Sequence, residues 1–437
     1  MSRSERRGTA AARLRAGSTR LTVRGILFVG VGIACTVAAY VIGRSELLFA
    51  TGLLILLPLV GFLIVRLRPL RLTVSRTFSP PVVSAGMASV IELSVRNVQG
   101  TASPAASWTD RIPWAPHRAG PGLLPSIPPG ETATVSRSTR LGYSLRPALR
   151  GVYDIGPLDV SYSDPFGLAV GHLQVGGTQS LYVVPPVVAL GQSLSLAVSG
   201  EGSARLIQHL ATGNDDDLMT REYRTGDALR RVHWRASARH GELMVRQEEQ
   251  RSYPEARLIL DTRSDGYGPD VAPSELAPGS ASFEWAITLV ASVGVHLHRS
   301  GFLVQVLETA PRQVAPLGDA TQGSGQDTEF LLSLAGVTLQ EPTSAIGGGN
   351  DERGQAALGP VFAVMADPSS DTLRWISAQR RPYETGVAFV VDSGNPAIPE
   401  ILDAAGWTCI PVTHTTDIGF AWASVARITS GPIAERR

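Results

Sequence analysis

Arg221 to Gln250 concentrates seven arginines, two histidines, five carboxylates, one Trp and one Tyr. Arginine with Trp and Tyr is the chemistry of protein recognition, because these side chains dominate interface hot spots. Arg221, Tyr223, Asp227, Arg230, Arg231, Trp234, Arg235 and Arg239 are therefore the candidate partner-binding residues. Asp227, His233 and His240 could in principle do acid–base work. Each also has a plainer role: Asp227 as a helix N-cap, His233 beside an apolar stripe, and His240 at a helix end that favours a cation. No residue is assigned as catalytic. A second set, Asp261, Asp265 and Asp367, offers carboxylates that could hold Mg²⁺, the only cofactor the chain suggests.

The elements that would position the arginines can be read locally. Arg221-Glu222-Tyr223-Arg224 suits a short edge strand. Thr225-Gly226-Asp227 is a turn ending in an N-cap residue. Leu229, Val232 and Ala236 fall at helical spacing, which predicts a helix of about three turns with the arginines mostly off its apolar stripe. Gly241 is the expected stop, and Leu243-Met244-Val245 the next strand.

The rest of the chain bounds the possibilities. The 437 residues suffice for two or three domains at ~100–200 residues each. The net charge of +1, with acids interleaved among the arginines, argues against a nucleic-acid partner. Every permanently basic side chain is Arg, in keeping with a compositional bias. Cys35 lies in an apolar run and Cys409 in an expected core strand, so no disulfide framework, redox pair or zinc cluster is implied.

Gly25 to Ile42 and Leu47 to Val65 are charge-free apolar runs, each long enough to cross ~30 Å of hydrocarbon. Gly43-Arg44-Ser45-Glu46 is a minimal turn between them. Arginines at 3, 6, 7, 13, 15, 20 and 24 precede the first run, and Arg66, Arg68, Arg71 and Arg76 follow the second. The positive-inside rule then puts both termini in the cytoplasm, with a two-span anchor in the cell membrane. The long basic start and the immediate second span argue against a cleaved signal peptide.

The expected organisation is multidomain: a basic cytoplasmic N-terminus (1–24), a transmembrane hairpin (25–65), an antiparallel β-sandwich (72–190), a linker with the arginine-rich motif (191–256), and an α/β domain (257–425). The sandwich rests on short alternating runs at 71–74, 90–95, 133–136, 158–162 and 181–184, punctuated by turns. Asp164-Pro165-Phe166-Gly167-Leu168 reads as a turn that buries its Phe. Asp215-Asp216-Asp217 reads as a solvated acidic loop. Beyond residue 257, apolar strands at 258–260, 302–307, 361–365, 387–391 and 409–412 alternate with helices, which predicts a parallel sheet covered on both faces. His296 and His298 read as packed or helix-end residues.

In such sheets ligands gather at the carboxyl ends of the strands, where Asp261, Asp367 and Asp392 fall. That arrangement resembles a von Willebrand factor A domain, whose first strand ends in an Asp-x-Ser-x-Ser metal motif. Here the positions read Asp261-Thr262-Arg263-Ser264-Asp265, with both Ser positions changed. A guanidinium has no lone pair to offer a metal. The expected outcome is a metal-free site in which Asp261 pairs with Arg263 or caps a backbone turn.

With these segments in view, the chain resembles the domain of unknown function 58 family. The resemblance rests on Tyr223-x-x-Gly226-Asp227-x-x-Arg230-x-Val232-His233-Trp234-x-x-Ser237-Ala238-Arg239 and on Leu243-Met244-Val245-Arg246. Arg150-Gly151-x-Tyr153-x-Ile155-Gly156-Pro157-Leu158 and Asp164-Pro165-Phe166-Gly167-Leu168 add to it, as does the order of hairpin, sandwich, motif and degenerate von Willebrand-like domain. The resemblance implies partners of two kinds, MoxR-type AAA+ ATPases and transglutaminase-like membrane proteins. The expected function is a non-enzymatic, membrane-anchored cytoplasmic adaptor or scaffold. The alternative is a metal-dependent or acid–base enzyme.

Overall fold

The computed structural model describes residues 17–114, 122–129, 138–191, 220–223, 232, 234–246, 254–268, 280–317, 325–342, 346–347, 359–381, 383 and 385–429. The chain divides into two units, Met1–Val184 and Pro185–Arg437.

In the first unit, strand β1 (Ser18–Leu21) leads directly into helix α1 (Val23–Ile42), and helix α2 (Glu46–Leu67) follows. At 1.5 Å per residue each helix spans about 30 Å, the thickness of a hydrocarbon core. The Thr22 hydroxyl caps α1 by accepting from the Gly25 amide at 3.2 Å. Gly43 closes it in the left-handed conformation at φ 72°. The helices form the expected hairpin and approach closely at Gly32, where an added Cβ would lie 2.8 Å from Ile55 Cγ1. Most of their Leu, Ile, Val and Phe side chains are exposed.

Ten further strands follow: β2 (Leu72–Ser79), β3 (Val82–Ser84), β4 (Ser89–Asn97), β5 (Ala106–Asp110), β6 (Gly122–Leu124), β7 (Thr139–Leu145), β8 (Gly151–Ile155), β9 (Leu158–Ser163), β10 (Ala169–Val175) and β11 (Gln179–Val184). They form sheets ordered β1-β10-β9-β5-β6, β2-β4-β7 and β3-β11-β8. All pairs are antiparallel except β11 with β3, which is parallel. Alternating residues point inward, as the period-2 pattern requires. Ile91, Leu93 and Val95 of β4 meet Trp108, Ile155, Val160, Leu173, Leu181 and Val183 in one core. Arg76 is buried in this unit, with its Nε and Nη2 on Asp110 at 3.0 and 2.7 Å, and Tyr143 donates to the same carboxylate at 2.7 Å. The expected strand at 133–136 lies outside the described residues.

Two features depart from expectation. The segment before the first helix is not only a basic tail: Ser18 to Leu21 pair antiparallel with His172 to Ala169 of β10. Phe166 is not buried by its turn; it is 56% exposed, and Leu168, at 2%, is the residue the turn buries.

In the second unit, β12 (Thr220–Glu222), α3 (Trp234–His240) and β13 (Met244–Arg246) make up the arginine-rich segment. Then come β14 (Glu255–Leu260), α4 (Ala281–Arg299), β15 (Leu303–Glu308), α5 (Gly325–Ala335), β16 (Pro360–Met365), α6 (Ser370–Ala378), β17 (Thr385–Val391), α7 (Ala397–Ala404), β18 (Thr408–Val412) and α8 (Ile418–Thr429). The five strands from β14 onward form one parallel sheet in the order β15-β14-β16-β17-β18. One core gathers α4, α5 and α8, with Phe283, Phe330 and Trp422 fully buried. Another, around Leu373, Ile376, Ile398, Leu402 and Trp407, draws on α6 and α7. Each expected parallel strand is present, because a strand covered on both faces must read as a continuous apolar run. Helix α8 was not expected. His298 is packed, its Nδ1 2.8 Å from Asp327 Oδ1, and His296 stacks edge-on against Trp422.

Candidate functional site

Two places carry the chemistry singled out in the sequence. The first is the arginine-rich segment. β12 and β13 pair antiparallel, Arg221 opposite Val245, and the Tyr223 amide extends the ladder by donating to the Leu243 carbonyl at 2.7 Å. Val232 forms an isolated bridge to Val245, so it is extended and buried rather than helical. This corrects the expected stripe of Leu229, Val232 and Ala236: pairing with β13 outweighs helical spacing at Val232, and the described helix begins at Trp234. Gly241, at φ 77°, ends α3 as expected. The Ser237 hydroxyl accepts from the Met244 amide at 2.9 Å and ties the helix to β13.

On this frame Trp234 is 68% exposed. Arg235 and Arg239 are also exposed, and as an i, i+4 pair they share one helix face. No carboxylate among the described residues pairs with either. Like charges at this spacing repel mildly, by a few tenths of a kcal/mol, and an acidic partner would relieve that. Tyr223 is half-buried. Asp227, Arg230, Arg231 and His233, like Asp215 to Asp217, lie outside the described residues, and of Arg221 only the backbone is described.

The second place is the carboxyl edge of the parallel sheet. Asp261 is fully buried at the end of β14. Its Oδ1 accepts from the Thr309 hydroxyl at 2.6 Å and from the Arg263 amide at 3.3 Å, so it caps a backbone turn. The Arg263 guanidinium pairs with Asp265 at 3.5 Å. Asp261 Oδ2 accepts no hydrogen bond and lies against Gly266, where an added Cβ would be 2.6 Å away. Burial pushes the Asp261 carboxyl up to about 6, against the lowering effect of Thr309 and the Arg263 amide. Tyr267, which donates to the Asp261 carbonyl at 2.9 Å, is raised well above the ordinary phenol value by burial and by that carboxylate. Asp367 is exposed, and its amide donates to Gly266 at 2.8 Å. Asp261, Asp265 and Asp367 thus sit on neighbouring turns, yet no three His, Cys, Asp or Glu among the described residues converge to hold an ion.

Asp392, at the end of β17, collects residues that sequence reading did not join to it. It is a left-handed non-glycine residue at φ 51°. Ser282 donates to its Oδ2 at 2.6 Å, and His414 reaches the same atom through Nδ1 at 2.9 Å and through its amide at 3.1 Å. Burial raises this carboxyl, but the hydrogen bonds from Ser282 and His414 outweigh it and hold Asp392 below its ordinary value. With Asp392 ionised, His414 Nδ1 must carry the proton. The hydroxyl bonds the carboxylate rather than the imidazole, so the trio is no nucleophile–base pair. Residues 282, 392 and 414 come from three elements, and nothing in their spacing signals the contact.

A parallel α/β domain preceded by an arginine-displaying strand–helix–strand segment is the class of protein these sites define. Residues 219–301 match the family described as protein of unknown function DUF58. No curated protein matches the chain. Among solved structures, the crystal structure of the CARDB domain of the PF1109 protein from Pyrococcus furiosus is 21% identical, covering 26% of this chain and 89% of that one, at a TM-score of 0.20. A cycloisomaltooligosaccharide glucanotransferase from Paenibacillus is 12% identical, covering 78% of this chain and 53% of that one, at a TM-score of 0.19.

Proposed function

We propose that this chain is a membrane-anchored cytoplasmic adaptor whose C-terminal half docks a partner protein in cell-envelope processes. The observation that carries the reading is Trp234, 68% exposed on a helix that also presents Arg235 and Arg239. A large aromatic left in water beside exposed guanidinium groups is the composition of an interface hot spot. The family resemblance supplies the candidate partner, a MoxR-type AAA+ ATPase, with a transglutaminase-like membrane protein as a second. Two apolar helices long enough to cross a bilayer support the anchor. The arginine distribution around them supports the cytoplasmic side. A von Willebrand factor A-like reading of the α/β unit is supported by its strand order and by the antiparallel bridge of Leu317 to Val304 at the sheet's edge.

Membrane-reconstituted full-length chain would be used to capture a purified MoxR-type ATPase. Trp234→Ala is expected to weaken capture by about 2 kcal/mol, roughly thirtyfold, and Arg235→Glu with Arg239→Glu to abolish it. Undiminished capture by both variants would remove this segment from docking.

The buried Asp261, held near 6 with one oxygen unpartnered, favours the second reading, an acid–base or metal-dependent enzyme. Calorimetric titration of the full chain with Mg²⁺ and Mn²⁺ tests its metal form. Docking predicts no heat of binding; micromolar binding lost in Asp261→Asn would favour the enzyme.

A further inference from the structure

In the first unit the turn at Asp164 to Gly167 is seated across both apolar helices. The Gly167 amide donates to the Asp164 carbonyl at 3.0 Å, closing a β-turn. Asp164 is buried, and its two oxygens accept the Phe166 and Ala169 amides at 2.9 and 2.6 Å. This carboxylate lies against α2 at Gly61, where an added Cβ would be 3.0 Å from Asp164 Cγ. On the other side, the Thr22 hydroxyl donates to the Gly167 carbonyl at 2.7 Å and the Thr22 amide to the Leu168 carbonyl at 2.8 Å. A Cβ at Gly25 of α1 would run into that Leu168 carbonyl. Two glycines, one per helix, thus make room for one turn.

The depth of this seat follows from helix geometry. Arg66, exposed in the last turn of α2, marks the level of the lipid headgroups. Gly61 lies five residues further in, about 7.5 Å along α2, while Gly25 lies one residue, about 1.5 Å, beyond exposed Arg24 of α1, so the turn straddles the boundary between headgroups and acyl chains. The turn's two central residues, Pro165 and Phe166, are both exposed at its tip. An exposed phenyl ring at that level would face acyl chains, where burying it is favourable, rather than water.

We propose that the Asp164–Gly167 turn is a membrane-inserted wedge and that Phe166 is a lipid contact. The partner is the bilayer surface itself. The inference rests on the reading that α1 and α2 cross a membrane. It goes further: the sandwich is held against the bilayer at a set depth instead of hanging from a tether. Val65 of α2 lies in the sandwich core and β1 is paired into its sheet, so the seat is rigid.

The test uses full-length chain in phosphatidylcholine–phosphatidylglycerol vesicles, with Cys35→Ala and Cys409→Ala as background. An environment-sensitive nitrobenzoxadiazole probe is attached at Phe166→Cys or, as a second tip position, Pro165→Cys. Met87→Cys is the aqueous control, exposed in the turn between β3 and β4, beside the Ser79 end of β2, which lies roughly 23 Å along that strand from Leu72. Leu53→Cys, in the middle of α2, reports on the helices. Lipids spin-labelled near the headgroup should quench the tip probes several-fold more than the Met87 probe, with blue-shifted emission. If Leu53 is lipid-shielded while both tip probes match Met87 in quenching by aqueous iodide, the wedge is overturned and the anchor stands. If Leu53 is also open to iodide, the anchor itself fails and the wedge with it.

Discussion

Asp261 shows how one residue can look catalytic and yet be explained by its surroundings. It heads an altered metal motif, but Thr309 and the Arg263 amide occupy one oxygen and Gly266 covers the other. Burial raises its folded value to about 6 from an ordinary 3.8. Between those values the native chain keeps a proton that the unfolded chain releases, so its contribution to stability is full at low pH and falls as pH rises toward 6. Asn at this position is always neutral and keeps the Oδ1 acceptor. The unfolding free energy of Asp261→Asn should therefore gain on the parent chain from pH 4 to pH 7, by up to about 3 kcal/mol, read by denaturant titration. Parallel pH profiles would show that Asp261 does not titrate in this window. The leading Asp was legible in the sequence. Thr309, Ser282 and His414 were not, because each comes from a segment distant in sequence from the carboxylate it bonds, and polar contacts between elements have no local period; Tyr267 stands in the turn after β14, where nothing in its spacing signals its bond to the Asp261 carbonyl.

At the scale of elements, what could be read depended on where each segment's hydrogen bonds go. The parallel strands announced themselves as apolar runs because both their faces are covered. The arginine-rich segment was legible as strand, helix and strand, with Gly241 as its stop. Its helix was read as running through Val232, which looks helical by spacing while its backbone pairs with Val245. Gly241 offers a clean check on how firmly α3 is held. Nothing lies within 4 Å of a Cβ built there, and its φ is +77°, so Gly241→Ala carries a conformational penalty without a clash. A loss of about 1–2 kcal/mol is expected in thermal unfolding of the full chain. If the helix end matters for docking, partner capture should weaken with it.

For the whole molecule, the two apolar helices and the all-apolar strands set the architecture from composition alone, and the family signature falls within the matched span at 219–301. The attachment of the sandwich to the hairpin was hidden. It depends on Thr22 meeting Gly167, 145 positions away, and on a short Ser-Thr-Arg-Leu strand embedded in a basic stretch. That pairing also imposes an order of assembly on a growing chain. β1 leaves the ribosome first, yet its partner β10 follows both helices and most of the sandwich. At ~5–20 residues per second, the first strand waits roughly 10–30 s for its neighbour. During that interval the hairpin has already emerged, while the edge that β1 will complete does not yet exist. The sheet therefore closes as a late event, joining the earliest-made residues to some of the last of their unit.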